Sequence, residues 1–119
     1  VYKRQAYRIV YYKTLRNLPD GMLSQLSTLS KNVSEMVSRL RECVFLMGYS
    51  PSKISEISGK IVEKEEEIDE MHRRLEVEVL SRKADSSSTI SLLEVIRRLE
   101  SIADTTLNAL DLITILIML

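Results

Sequence analysis

IRRLESIADTTLNALD, residues 96–111, sets three acids along what is otherwise the apolar side of a long helical pattern. Ile96, Leu99, Ala103, Leu107 and Leu110 advance by threes and fours, the period of a helix that buries one face. Glu100 and Asp104 stand four residues apart and Asp111 follows two turns later, so all three lie on or beside that face. Carboxylates there need a compensating partner. Upstream, within IVEKEEEIDEMH, Glu65 and Asp69 repeat the four-residue spacing. Whether the two acid pairs meet depends on how the helices between and around them are arranged.

Composition points to one helical domain. The 119 residues include 3 Gly and 2 Pro, and with 45% hydrophobic residues but one Phe and no Trp the core falls to Leu, Ile, Val and Met. Seventeen basic residues balance 17 acidic ones, which lacks the positive surplus of a duplex nucleic-acid binder. Cys43, the single cysteine, lies on an apolar stripe and reads as a small buried hydrophobe; no disulfide can form within the chain. The N-terminus has no signal-type apolar segment, and the run 110–119 is too short to cross a bilayer. A cytoplasmic protein without a transmembrane segment is expected.

The ends read as cut. Residues 1–5, VYKRQ, resemble the translation of a sequencing-library adapter and are set aside as an artefact, and TILIML at the other end suggests a missing turn or two. Residues 6–18 have the apolar spacing of the end of a preceding helix, closed by Pro19, Asp20 and Gly21. Three full helices follow over about 22–47, 52–83 and 90–118. The first carries the stripe Leu26, Leu29, Val33, Met36, Leu40, Cys43 and Met47, widened by Leu23, Val37 and Val44. After a turn at 48–51, where Pro51 suits the first helical position, the second carries Ile54, Ile57, Ile61, Ile68, Leu75 and Val79. ADSSST, residues 84–89, is a polar linker, and the last helix extends its stripe to Leu116 and Ile117, widened by Ile102, Ile113 and Met118. Short connections between long amphipathic helices predict an all-α, antiparallel three-helix bundle over 22–119.

Antiparallel packing of the second and third helices brings their middles together, and the middles are Glu65, Asp69 and Glu100, Asp104. Four uncompensated carboxylates repel, and hard oxygen-preferring cations remove that conflict. The spacing therefore predicts a metal site at Glu65, Asp69, Glu100 and Asp104, with His72, Asn108 and Asp111 as outer contributors. Ion pairing of the acids with Arg74, Arg97 or Arg98 is the competing expectation. No phosphate loop, cysteine pair, HExxH or nucleophile elbow occurs, and a single histidine restricts acid–base schemes, so no enzymatic activity is expected.

Arg97, Leu99, Glu100, Ile102, Ala103, Asp104 and Asn108 resemble the signature R-x-L-E-x-I-A-D-x-x-x-N of the PhoU-like family, and Glu65, Ile68 and Asp69 resemble its acid motif on the preceding helix. Thr105 and Thr106 stand where the family commonly has a His-Ala pair, and Ser101 where a basic residue is frequent. The family is built of two three-helix repeats, and this chain resembles the second, with residues 6–18 as the tail of the first. YYKTLRNLPDG and the acid motifs are similar in particular to the branch associated with Pit-type phosphate transporters. The resemblance implies a non-enzymatic regulator of phosphate transport or phosphate metabolism, with iron, zinc or another divalent ion on the acid motifs. It also implies a phosphate transporter or other membrane-associated partner at the inner face of the membrane, or a second copy of the chain. The alternatives are a structural or interaction bundle whose acids are salt-bridged and hold no metal, and a carboxylate–metal hydrolase.

Overall fold

The computed structural model describes residues 20–81 and 86–119. The opening residues 1–5 and the expected helix end at 6–18 lie outside them, as does the start of the linker. The described residues form α1 (Asp20–Leu46), α2 (Pro51–Ser81) and α3 (Ser86–Met118). At 1.5 Å per residue these are roughly 40, 47 and 50 Å long. α1 turns into α2 through residues 47–50, where the Met47 amide donates to the Cys43 carbonyl and the Ser50 amide to that of Leu46. Pro51 occupies the first position of α2, where its missing amide hydrogen costs nothing. α3 starts at Ser86, about four residues earlier than expected, because nothing in the serine run forbids helix and only a Gly or Pro would have broken it.

Each helix packs on the other two, giving an up–down–up bundle of all-α class. Its centre is the stripe seen in the sequence: Leu29, Met36 and Cys43 from α1, Ile54, Ile61, Ile68 and Leu75 from α2, and Ile96, Ala103 and Leu110 from α3 are buried. Full burial of the Leu, Ile and Met side chains among them contributes about 1.5–3 kcal/mol each. The widened edges behave differently. Ile113 is buried, but Leu23, Val37, Val44, Ile102 and Met118 are exposed, as is Leu116, which was expected on the stripe itself. With three helices, each can present only part of its circumference to the core, and these positions lie on the outer flank. Between α1 and α2 the Lys64 ammonium pairs with Glu35 at 2.9 Å and donates to Asn32 Oδ1 at 3.2 Å. That bond holds the Glu35 carboxyl below its ordinary value and the Lys64 ammonium above it.

Among the described residues α3 alone is long and apolar enough, by length and composition, to cross a membrane, over Thr89–Met118. The apolar stretch is thus longer than the run 110–119. It nevertheless carries Glu94, Arg97, Arg98, Glu100, Asp104 and Asp111, each costly at a bilayer centre, and buries Leu92, Leu93, Ile96 and Leu110 in the bundle. Ile90, Ile102, Leu112, Ile115 and Leu116 on its other sides stay exposed.

Candidate metal centre

α2 and α3 meet antiparallel in a register fixed by two contacts. His72 Nε2 lies 3.0 Å from Glu100 Oε2, and one turn further along α2 Glu76 Oε1 lies 3.6 Å from the Arg97 guanidinium. In this register the turn bearing Glu65 and Asp69 faces the turn bearing Glu100 and Asp104. The electrostatics of Glu65 report the convergence. Burial pushes its carboxyl above the usual 4.5, and the negative charges of Asp69, Asp104, Glu66 and Glu100 push it further the same way. The four acids singled out by spacing therefore share one face between two helices.

His72, expected on the stripe between Ile68 and Leu75 and as an outer contributor, is 7% exposed and lies directly against Glu100. Its position explains this: on α2 the sequence 61, 65, 68, 72, 75, 79 advances by fours and threes, so Glu65 and His72 occupy the same inward track as Ile61, Ile68, Leu75 and Val79. Nε2 also lies 3.5 Å from Glu76 Oε2. Neither ring nitrogen makes a hydrogen bond, so the closeness to Glu100 is electrostatic contact without donor–acceptor alignment. One ligand atom each from Asp69, His72 and Glu100 lie within 4.8 Å of one another.

The outer residues are not all brought in. Asn108 and Asp111 are exposed, and at 1.5 Å per residue they stand roughly 12 and 16 Å beyond Glu100 along α3. They leave the candidate site. Glu76 enters it unannounced, because in the charge-dense stretch EEEIDEMHRRLEVE no spacing separates it from its neighbours; only its place four residues after His72 could have marked it.

The expected ion pairs also fall elsewhere. Arg97 reaches Glu76, Arg74 reaches Glu70, and Arg98 reaches Glu94. Arg73 takes Asp69 at 2.9 Å, with an arginine side chain that is 75% exposed. None of these pairs engages Glu65 or Asp104. A face of clustered carboxylates around a buried imidazole without a hydrogen bond can hold a divalent cation, for which both groups are ligands. Cys43 lies apart from this face in the core, where burial raises its thiol above the ordinary value.

The PhoU domain family model matches residues 26–113, which span most of α1, all of α2 and most of α3. Comparison with curated proteins and with solved structures returned no match. The matched span contains both acid pairs and His72, and PhoU domains are helical bundles of a family tied in general to the regulation of phosphate transport. With three helices in the matching region and the acid motifs facing each other between the last two, this chain belongs to the PhoU domain family.

Proposed function

We propose that the protein is a non-enzymatic regulator of inorganic phosphate transport or phosphate metabolism, and that the acid face between α2 and α3 binds a divalent cation such as iron or zinc. The observation that carries this reading is the match of the PhoU domain across all three helices, with Glu65, Asp69, Glu100 and Asp104 inside it. The resemblance of the sequence to the transporter-associated branch supports a phosphate transporter as partner, met at the cytoplasmic face of the membrane. The bundle offers a site without a catalytic constellation, which suits sensing or binding better than turnover.

A metal-free bundle held by ion pairs is the second reading, and Arg73 on Asp69 is the observation in its favour. An i,i+4 pair on an exposed arginine contributes only about 0.3–0.5 kcal/mol, and it leaves Glu65 against its acidic neighbours.

The test is labelled-phosphate uptake in cells lacking the gene, complemented with wild type or with Glu100→Ala. Uptake that loses its response to a shift in external phosphate, restored by wild type and not by the variant, is the expected result. Unchanged uptake on loss of the gene contradicts the regulatory reading.

A further inference from the structure

Resting on the divalent-cation reading above, we infer that Asp69, His72 and Glu100 are the ligand set, and that the imidazole makes the site one for a borderline transition metal such as zinc rather than for magnesium or calcium. Glu65 and Asp104 then act as flanking negative charge and not as ligands.

Two independent features of the same place lead here. The first is geometric: the three ligand atoms, two from successive turns of α2 and one from α3, lie within 4.8 Å of one another. Donors on opposite sides of one ion stand about 4.0–4.6 Å apart for bonds of 2.0–2.3 Å, so modest side-chain rotation closes the set on one cation. The second is the state of His72. It is more than nine-tenths buried, with both ring nitrogens lacking a hydrogen-bond partner, and Nε2 lies 3.0 Å from Glu100. Buried polar groups in folded proteins are nearly always satisfied, and an orphaned one calls for an explanation such as an ion. A metal satisfies a ring nitrogen and both carboxylates at once.

Donor chemistry then fixes the class of ion. Magnesium and calcium take oxygen ligands, whereas imidazole suits zinc, iron, nickel and copper. Asp69 must release Arg73 to bind, and that arginine is largely in solvent already, so its release requires no rearrangement of the core. Glu76, 3.5 Å from Nε2 and held by Arg97, adds a further negative charge beside the ring.

His72 is the only histidine in the chain, so a tag-free protein labelled with nitrogen-15 in histidine reports on this site alone. Zinc and magnesium are titrated separately, with bound zinc counted by equilibrium dialysis. The expected result is a shift of a ring-nitrogen resonance that saturates at one zinc per chain and is absent with magnesium. His72→Gln is expected to lose more than about tenfold in zinc affinity while keeping its helical content; changes to mere outer partners of a metal site already cost that much. Zinc bound without a ring-nitrogen shift overturns the ligand set but leaves an all-carboxylate cation site standing. Magnesium shifting the ring as zinc does overturns the selectivity. A wild-type protein that binds no divalent ion overturns this inference and the cation reading together.

Discussion

Replacing His72 by leucine stabilises the metal-free bundle. The imidazole is 7% exposed and both of its nitrogens lack hydrogen bonds. An unsatisfied buried polar group costs about 1–3 kcal/mol, and leucine is an apolar side chain of similar volume on a track already filled by Ile68 and Leu75. The opposing term is attraction between the ring, when charged, and the carboxylates of Glu100 and Glu76. Those side chains are 31% and 29% exposed and rehydrate when the ring is removed, so this loss is at most about 1 kcal/mol. With the full loss counted the net gain is about 0–2 kcal/mol, and for a domain of this size each kcal/mol raises Tm by roughly 4–8 °C. Urea unfolding followed by circular dichroism at one pH in the presence of a chelator measures it, with the urea midpoint rising at unchanged slope. The order reverses with metal: zinc at a hundredfold excess over Kd adds about 2.7 kcal/mol to the wild type and none to the variant. A stability that falls by more than about 1 kcal/mol in chelator refutes the reasoning, because His72 would then be held by its carboxylates.

Glu65→Gln in chelator is expected to flatten the stability–pH curve. Because the folded carboxyl lies above the usual 4.5, the folded state binds the extra proton, so wild-type stability falls as pH rises from 4.5 through the raised value and stays lower beyond it. The variant lacks that fall, and its advantage at neutral pH vanishes below 4.5; an advantage that persists in acid denies the cause. Ile61→Ala, at a fully buried position, should cost about 2–5 kcal/mol in the same urea assay, against less than about 0.5 kcal/mol for Val62→Ala next to it on the exposed side. Cys43 should resist a thiol reagent in the native protein and react at once in denaturant, since its thiol is buried and raised by burial; prompt native labelling contradicts the packing of α1.

The sequence carried the helices because their core positions keep strict time. Ile54, Ile61, Ile68 and Leu75 fall seven apart and are all buried, so the period alone identifies the face. It did not carry the width of that face. Leu23, Val37 and Val44 also repeat at sevens or fourteens, yet they are exposed, because the period cannot say how much of a helix its neighbours cover. The convergence of Glu65, Asp69, Glu100 and Asp104 was legible once α2 and α3 were read as antiparallel. The side of α2 that carries His72 was legible from its place between Ile68 and Leu75, but the depth of its burial was not, because the polarity of the ring argues for a half-exposed position. Asp111 misled in the opposite way. It shares the side of α3 on which Glu100 lies but is eleven residues further on, where α2 presents other turns.

The central claim, that the face between α2 and α3 of this PhoU domain holds a divalent cation, is tested most directly by counting metal. Tag-free wild-type protein and Glu100→Ala are equilibrated with zinc, dialysed, and measured by elemental analysis beside their circular dichroism. The account predicts at least one tightly held zinc per wild-type chain and its loss from a variant that remains fully helical. Equal zinc in both proteins, or none in the wild type, contradicts it.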